Sequence, residues 1–425
     1  MIQPRNSAQI RRNNLRTLLC SIKQYGPISK RDLQNRTGLS WGAVSSLTGL
    51  LHEHGYIVYT GKQVTSVGRK PDELDINGSD HYIVGIDLNL SGICGVVTDM
   101  KGRIIQEWRR LLAVRDYGCV MDTLLSLLDE ILYKAYPQKQ IMGIGLAVQG
   151  FVNVEKGVSH YFPHVKNWRD VPLKKLLEDR YGYTTLLMHD PDCIMITERA
   201  FGHSGMNLSN HGILVRMDSS IGMSMLLNGE LYMGATGQSG ELGHISVNRD
   251  GPLCTCGSRG CLEEYASGNG LVRRFVELVN QGRSTSVDIR PGEGISYKVL
   301  GDAALAGDRL CLDLFRQMGR YLGEALGMVC NLLNPELVVL YGDMMAYRGV
   351  FCDVAQKHME ERLYTGIPAK LEFSDLGYNA AAQGVALVVS ERTMERIEPP
   401  SEMGELPEES VSCGHFLPGC DSFLP

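Results

Sequence analysis

The most regular apolar pattern near the amino terminus has helical spacing. It consists of four residues that recur every three or four positions: Leu15, Leu18, Leu19 and Ile22. The pattern stops at Tyr25-Gly26-Pro27, because glycine and proline both disfavour continued helix. The sequence therefore predicts one amphipathic helix that ends near Tyr25.

Two further helices are predicted on either side of a short turn. Ser29 is placed to cap a helix over residues 30–36, and Ser40 to cap another that runs to about His54. A serine hydroxyl at these positions accepts a hydrogen bond from a free amide of the first helical turn. The segment Thr37-Gly38-Leu39 between them predicts a tight turn, and the pair is typical of a helix-turn-helix.

A β-hairpin is predicted after the third helix. Residues 56–59 form its first strand, residues 61–69 a loop, and residues 74–76 the return strand. A hairpin in this place is a wing. The sequence therefore predicts a winged helix-turn-helix DNA-binding domain over residues 1–78, with its third helix in the major groove.

Short apolar strands alternate with long helical segments over residues 79–397. Predicted strands cover residues 82–87, 92–97, 143–150, 213–217, 223–227 and 337–341, and the longest predicted helices cover residues 117–135 and 310–333. This alternation indicates an α/β architecture. Two halves that each open with a pair of strands predict two lobes with a cleft between them. The composition of residues 398–425 predicts a flexible tail.

Charge is divided unequally along the chain. Residues 1–71 carry eleven Lys or Arg against two acids, a balance of +9, so that the net charge of −6 leaves −15 for the rest. A basic head on an acidic body is typical of a nucleic-acid-binding domain joined to a sensing domain. The alternative is a solvated basic face without a partner.

The residues predicted to contact DNA have different chemistry in different parts of the head. Phosphate contacts are expected from basic side chains: Arg11, Arg12, Lys30, Arg31 and Lys62. The third helix has no lysine or arginine, so base contacts would come from hydroxyl and ring side chains: Ser40, Trp41, Ser45 and Ser46. The basic wing tip is predicted to enter a narrow minor groove, and its two basic residues are Arg69 and Lys70. The alternative is a solvated loop charge.

The composition disfavours a membrane protein and a disulfide framework. The longest apolar runs, at residues 338–341 and 380–389, are much shorter than the ~20 residues of a membrane span. The amino terminus has no apolar signal core. Most of the twelve cysteines are scattered, which is typical of reduced thiols. We therefore expect a cytoplasmic protein without a membrane segment.

The strongest chemical motif consists of His244, Cys254, Cys256 and Cys261. Three thiolates and an imidazole are the ligand set of a closed tetrahedral zinc site, which leaves no position for a catalytic water. The glycines at positions 257 and 260 let the backbone fold back, so that Cys261 can reach the same ion. The sequence therefore predicts structural zinc. The alternative is a set of reduced cysteines that only pack.

These residues carry a resemblance that covers nearly the whole chain. The segment Glu241-Leu242-Gly243-His244, with Cys254-x-Cys256-Gly257-x-x-Gly260-Cys261-Leu262-Glu263, resembles the signature of the repressor/ORF/kinase (ROK) family. The head with Gly68-Arg69-Lys70-Pro71 resembles that of the family's transcriptional-repressor branch. The resemblance implies a two-lobed, actin-like (ribonuclease-H-like) fold and a sugar site between the lobes. It also implies either a sugar kinase or a sugar-responsive repressor.

The resemblance also implies which residues contact the sugar. Glu241, His244 and Glu263 match sugar-contacting positions, and Asp190 matches the catalytic base of the family's kinases. His164 and His189 stand where the family has asparagines. An amide offers two donors and an acceptor, whereas a neutral imidazole offers one of each. We therefore expect an unusual sugar, a modified sugar or no sugar effector.

Three phosphate-binding turns depart from the pattern of the family's kinases. The first has Asn89-Leu90-Ser91 in place of Gly-Gly-Thr, the second is Asp218-Ser219-Ser220-Ile221-Gly222, and the third retains only Gly342 of a glycine run. Glycine turns expose backbone amides to phosphates, whereas a carboxylate repels them. The sequence thus predicts no kinase activity and no catalytic residue.

The predicted function is a repressor of carbohydrate-related genes that binds a double-stranded DNA operator. A sugar or sugar derivative would modulate its affinity, and a homodimer or homotetramer would match paired half-sites. One alternative is an ATP-dependent sugar kinase with an appended DNA-binding head. Another is a binding module that acts through protein partners alone.

Overall fold

The computed structural model describes residues 7–60, 64–65, 68–69, 72–137, 140–289, 294–367 and 370–396. The predicted tail at residues 398–425 lies outside the described residues, as do Lys62 and Lys70.

The described residues between 7 and 76 form a small head of helices and short strands. Its elements are α1 (Ser7–Tyr25), β1 (Ile28–Ser29), α2 (Lys30–Thr37), α3 (Trp41–Glu53), β2 (Ile57–Thr60), β3 (Val64–Thr65), β4 (Gly68–Arg69) and β5 (Glu73–Ile76). Strands β1, β5 and β2 form an antiparallel sheet in that order, and β3 pairs with β4.

The three helices of the head begin and end where local sequence signals predict. The Ser29 hydroxyl accepts a hydrogen bond from the Asp32 amide, and the Ser40 hydroxyl accepts one from the Ala43 amide, at 3.1 and 3.3 Å. Gly38 ends α2 with a left-handed φ of 67°, which glycine adopts without a steric penalty. These predictions are confirmed.

The structure differs from the prediction between strands β2 and β5. The sequence predicts a loop over residues 61–69, but two short strands lie within this range, with Val64 opposite Arg69 and Thr65 opposite Gly68. Val64 and Thr65 are β-branched residues, which favour paired strands.

The first lobe of the body begins at residue 81. Its elements are β6 (His81–Asn89), β7 (Gly92–Thr98), β8 (Ile104–Arg110), α4 (Tyr117–Asp129), β9 (Gln140–Val148), β10 (Phe151–Asn153), β11 (Val158–Tyr161), α5 (Leu173–Tyr181), β12 (Thr185–His189) and α6 (Asp190–Phe201). The predicted helix over residues 117–135 is α-helical only as far as Asp129, and residues 130–135 continue it as a π-helix.

The second lobe begins at residue 212. Its elements are β13 (Gly212–Met217), β14 (Ile221–Leu227), β15 (Glu230–Leu231), α7 (Glu263–Ala266), α8 (Gly268–Asn280), α9 (Tyr297–Leu305), α10 (Arg309–Leu333), β16 (Leu337–Tyr341), α11 (Arg348–Glu360) and β17 (Lys370–Phe373). The last helix, α12 (Ala380–Glu395), returns to the first lobe. A short 3-10 helix over residues 242–244 carries His244.

The two lobes contain sheets of the same topology. The first has the order β12-β9-β6-β7-β8 and the second the order β15-β14-β13-β16-β17. In each sheet the first three strands in sequence form an antiparallel meander, and the other two are added in parallel beside the first of them. This repetition matches the two-lobed fold that the resemblance implies.

Helix α12 packs closely on the first sheet and on α6. A Cβ atom on Gly85 would lie 2.0 Å from the carbonyl oxygen of Ala382. A Cβ atom on Gly384 would lie 1.9 Å from the carbonyl oxygen of Cys193. Such distances are too short for any larger residue. Glycines at these two positions therefore allow the close approach of α12 to β6 and α6.

The head shares an apolar core with the body. Leu18, Leu51 and Leu74 of the head cluster with Ile83 and Val389 of the body, and all five are buried. Lys23 of α1 also pairs with Glu391 of α12 at 3.3 Å. Helix α12 therefore contacts both the body and the first helix of the head.

The helices within the described residues include none with the length and apolar character that crossing a membrane requires.

Candidate functional site

A cavity of about 370 Å³ lies between residues of the two lobes. All six residues that the resemblance assigns to the sugar line it: His164, His189, Asp190, Glu241, His244 and Glu263. The structure thus brings together side chains from four separate segments of the chain. The volume is within the range of ~300–1,000 Å³ for small-molecule sites.

The floor of the cavity is formed where β12 meets α6. His189 ends the strand and Asp190 begins the helix, with exposed fractions of 8% and 2%. Burial, followed by the charge of Arg216, lowers the pKa of His189 to about 4. His189 is therefore neutral near pH 7 and offers one hydrogen-bond donor and one acceptor.

Two glutamates reach the cavity from the second lobe. Glu263 begins α7 and accepts a hydrogen bond from the Ile221 amide at 2.8 Å, while burial raises its pKa to about 7. Burial also raises the pKa of Glu241, and His244 opposes that shift. Carboxyl groups of this kind can accept hydrogen bonds from sugar hydroxyls or donate to them, depending on their protonation.

His244 and the three motif cysteines form a cluster beside the cavity. One ligand atom from each of the four residues lies within 4.8 Å of the others. Cys254 Sγ is 3.7 Å from His244 Nδ1, and Cys256 Sγ is 3.6 Å from Cys261 Sγ. Ligands ~2.3 Å from a tetrahedral zinc ion lie about 3.8 Å apart. The cluster therefore has the dimensions of a metal site.

The glycines of this segment have the conformations that the motif requires. Gly257 and Gly260 have φ values of 92° and 65°. A Cβ atom on Gly260 would lie 1.5 Å from the Asn248 carbonyl oxygen. Only glycine fits this turn, which carries Cys261 back toward His244.

Arg216 is a central residue of the site that the sequence patterns do not indicate. It lies in β13 with 7% exposure. Its Nη1 contacts the carboxylate of Asp190, and its Nε donates to Asp218 Oδ2 at 2.8 Å. The only signal in the sequence was an arginine within an otherwise apolar strand, Ile213-Leu214-Val215-Arg216-Met217.

A second cavity of about 210 Å³ lies beside Arg216. Residues from the three turns whose sequences differ from the kinases' phosphate-binding loops line it. In these turns the polar groups bond to one another. The Leu90 amide donates to Gln149 Oε1 at 2.9 Å, and Gln149 Nε2 donates to Ser220 Oγ at 2.5 Å. The Asp343 amide donates to Asp218 Oδ1 at 2.5 Å. Groups that would face phosphates in a nucleotide site therefore have partners within the protein.

Of the residues predicted to contact DNA, Arg11 and Arg12 lie on α1, where Arg11 is exposed and Arg12 is half-buried. The other predicted contacts within the described residues lie on α2, at or in α3 and in β4. Arg31 and Ser46 are exposed, as is Trp41 with 52% exposure. Lys30 is half-buried, with its Nζ 5.7 Å from the ring centre of Tyr59. The remaining predicted contacts are Ser40, which caps α3, Ser45, which is half-buried, and Arg69, whose backbone lies in β4.

Asp192, in the first turn of α6, is expected to make stability depend on pH. Its Oδ1 accepts a hydrogen bond from Ser224 Oγ at 2.6 Å, and burial raises its pKa to about 7. Because an unfolded aspartate has a pKa near ~4, the stability that the buried, protonated group contributes is lost as the pH rises from ~4 to ~7. The loss amounts to at most ~1.4 kcal/mol per pH unit.

Asp192→Asn should remove this dependence. The free energy of unfolding of the variant, measured in urea, should rise relative to the original protein between pH 5.5 and pH 8. Asp179→Asn, an exposed aspartate in an ion pair with Lys175, is the matched control and should not show this rise. A constant difference across the pH range would contradict the prediction.

Comparisons with known proteins identify relatives over most of the chain. Residues 83–392 match a family model described as ROK family. The xylose repressor of Bacillus subtilis (strain 168) is 28% identical over 394 residues, which are 91% of this chain and 97% of that protein. The DNA-binding transcriptional dual regulator NagC of Escherichia coli (strain K12) is 28% identical over 373 residues, which are 86% of this chain and 90% of that protein.

Solved structures show the same fold. A ROK family transcriptional regulator, described as a homolog of the E. coli MLC protein, superposes with a TM-score of 0.78 at 24% identity, over 91% of this chain and 97% of that one. A ROK family glucokinase from Streptomyces griseus, solved with glucose and AMPPNP, superposes with a TM-score of 0.62 at 25% identity. The superposition covers 72% of this chain and 98% of that one.

Proposed function

Because the chain belongs to the ROK family, we propose that it is a DNA-binding transcriptional regulator, and specifically a repressor of carbohydrate-related genes. A sugar or sugar derivative binds between the lobes and changes its affinity for a double-stranded operator. The chain divides into a winged helix-turn-helix at residues 1–78 and a sugar-binding body at residues 79–397.

One observation carries this proposal. The regulator superposes on 91% of the chain, whereas the glucokinase covers 72%. The additional coverage matches a chain that has a head of three helices and a small sheet in front of the two lobes. A basic head of this kind supports DNA binding, since phosphate contacts supply much of the affinity of such domains.

The six cavity residues are proposed to bind the sugar in two groups. The carboxyl oxygens of Asp190, Glu241 and Glu263 face the sugar hydroxyls. The imidazoles of His164, His189 and His244 each offer the sugar at most one donor and one acceptor. His244 belongs to both the cavity and the metal cluster. With Nδ1 in the cluster, its Nε2 remains for a hydroxyl, and the metal fixes the tautomer.

The ion in the cluster is proposed to be zinc with a structural role. A set of three thiolates and one imidazole favours zinc, and four protein ligands complete its tetrahedral coordination. The ion holds the segment between residues 244 and 261 in place. It thereby positions Glu241, His244 and Glu263 around the cavity.

Kinase activity is not part of the proposal. Asp190 stands at the family's base position, but its carboxylate contacts the buried guanidinium of Arg216, so it already has a charged partner within the protein. Asp218 brings a further negative charge to the cleft where a phosphate would lie. If the protein is a kinase instead, a coupled assay will detect sugar-dependent ATP consumption that Asp190→Asn abolishes.

The structure contains a continuous path from the cavity to the head. Asp190 begins α6, α6 packs against α12, and α12 contacts α1. A sugar that prefers one arrangement of this path shifts the DNA-binding equilibrium, since only differential affinity can do so. A homodimer or homotetramer is the proposed assembly, because it can present two heads to paired half-sites.

The proposal predicts two kinds of DNA-binding defect. Arg31→Ala should weaken binding to all DNA sequences. It should also reduce the magnitude of the slope of log binding constant against log salt concentration by about one unit per lost phosphate contact. Trp41→Ala should instead reduce discrimination between operator and unrelated DNA, because Trp41 lies at the exposed start of α3. Gel shifts at several salt concentrations measure both effects.

Matched controls separate these effects from general damage. Arg169 and Tyr133 are exposed residues of the body, and Arg169→Ala and Tyr133→Ala should bind DNA as the original protein does. If the purified protein shows no sequence-selective DNA binding, the proposed function is wrong. Loss of a cellular effect in Arg69→Ala would further favour DNA over action through protein partners alone.

A gel-shift titration with a panel of sugars and sugar phosphates tests the effector. DNA from the flank of the protein's own gene is the first probe. We expect one compound to change the shift, and His164→Asn and His189→Asn to alter which compound does so. A shift that none of the compounds changes would contradict the sugar-sensing part of the proposal while leaving the DNA-binding part intact.

A further inference from the structure

The cavity between the lobes changes character from its floor to its mouth. On the floor, His189, Asp190 and Glu263 are buried, with 8%, 2% and 9% exposure. Two aromatic side chains line the same cavity but are open to solvent: Phe151 with 36% exposure and Tyr161 with 49%. The cavity therefore has a polar, buried end and an aromatic, exposed end.

The aromatic end has fixed geometry. Phe151 and Tyr161 are paired residues of the antiparallel strands β10 and β11, so their side chains lie on the same face of the hairpin. The ring of Phe151 packs on that of His160, with 4.8 Å between ring centres. His160 Nδ1 is in turn hydrogen-bonded to Asp170. The Phe151 ring is thus supported from behind.

Polar side chains line other parts of the same cavity. Gln238 and Thr255 of the second lobe also contribute to its wall, and Thr255 is exposed. A pyranose ring has an apolar face of C–H groups and an edge of hydroxyls. Aromatic rings suit its face, whereas an amide and a hydroxyl suit its edge.

We propose that the effector is a glycoside with a second ring. The first ring occupies the polar floor, and a second ring, either a further sugar or an aryl group, packs on Phe151 and Tyr161. A single sugar ring on the floor would leave these aromatic side chains facing water. This inference rests on the proposed sugar site and names the class of ligand that the site takes.

Calorimetric titration of the full-length protein tests the inference without DNA. The probes are xylose, N-acetylglucosamine and glucose, each as the methyl β-glycoside, the phenyl β-glycoside and the β-1,4-linked disaccharide. For at least one sugar, we expect the disaccharide or phenyl glycoside to bind about tenfold more tightly than the methyl glycoside. Which of the two binds more tightly identifies the second ring.

Variants locate this gain at the mouth of the cavity. Phe151→Leu and Tyr161→Leu keep an apolar side chain but remove the aromatic face, so each should lose most of the gain while binding the methyl glycoside unchanged. Tyr133→Leu, which changes an exposed tyrosine elsewhere in the first lobe, should keep the gain. Both substitutions at the mouth are at exposed positions, so the variants are expected to fold.

The results separate this inference from the proposed function. Equal affinity for one-ring and two-ring ligands, or a gain that survives in both variants, would overturn the inference even if DNA binding is sequence-selective. Binding of none of the probes would overturn it as well. A two-ring preference in a protein without sequence-selective DNA binding would support the inference and contradict the repressor.

Discussion

Replacement of Cys261 by serine should remove one tightly bound zinc ion per chain and weaken sugar binding by about 10- to 100-fold. Cys261 is fully buried, and its Sγ lies 3.6 Å from that of Cys256. Structural zinc contributes ~10–16 kcal/mol to the folding of zinc-finger peptides. Without the proposed ion, His244 and Glu241 would lose their fixed positions, and two hydrogen bonds to the proposed sugar, each of ~1 kcal/mol, would be lost.

The second lobe should nevertheless remain folded in this variant. Its core contains large buried side chains outside the metal segment, such as Phe275, Phe315 and Phe351. We therefore expect local unfolding between residues 244 and 261. Limited proteolysis should cut the variant in this segment, and a chelator should cause the same cleavage in the original protein.

Metal analysis of the purified protein decides the prediction. Cys330→Ser makes the same chemical change at a buried cysteine of α10 outside the cluster, and this variant should retain its zinc. Zinc in less than stoichiometric amount in the original protein, or a full complement in Cys261→Ser, would contradict the prediction.

Local signals in the sequence were sufficient for much of the fold. Ser29 and Ser40 cap the predicted helices, because a cap depends only on residues within one turn. The metal cluster was equally local, since its four residues lie within eighteen positions. The strand β8 was not predicted, because in Ile104–Arg110 only Trp108 is buried, and the segment lacks an alternating pattern.

The cavity depended on contacts that are distant in the sequence. His164, Asp190, Glu241 and Glu263 come from separate segments, so only the resemblance to a family placed them in one site. Arg216 was missed for the same reason. Its partner Asp190 precedes it by twenty-six positions, and apolar periodicity does not indicate which distant carboxylate neutralises a buried charge.

Arg216→Ala should destabilise the protein by about 3–5 kcal/mol, because it leaves buried carboxylates without their counter-charge. Asp190 and Asp218 both contact the guanidinium. Asp87 is also buried. Burial raises its pKa to about 6, and the charge of Arg216 opposes this rise. In the variant the pKa of Asp87 should rise further, so the deficit should grow as the pH increases.

A double-mutant cycle distinguishes loss of the ion pair from loss of packing. Arg216→Met retains apolar volume, and combining it with Asp190→Asn removes both charges together. The double variant should be more stable than the sum of the two single changes predicts, by ~1–3 kcal/mol. Urea denaturation at pH 7 measures all the variants, with Lys175→Ala as a control at an exposed ion pair of less than ~1 kcal/mol.

The ion pair between Arg216 and Asp190 gives a reason for an arginine in this cleft. Asp190 begins α6 in the first lobe, whereas Arg216 lies in β13 of the second, so their contact joins the lobes across the cavity floor. A kinase needs its base free to take a proton from the sugar. A binding protein gains from a contact that sets how the lobes meet before the ligand arrives. Additive effects of the two substitutions, with a loss below ~1 kcal/mol for Arg216→Ala, would show that this contact does not stabilise the junction.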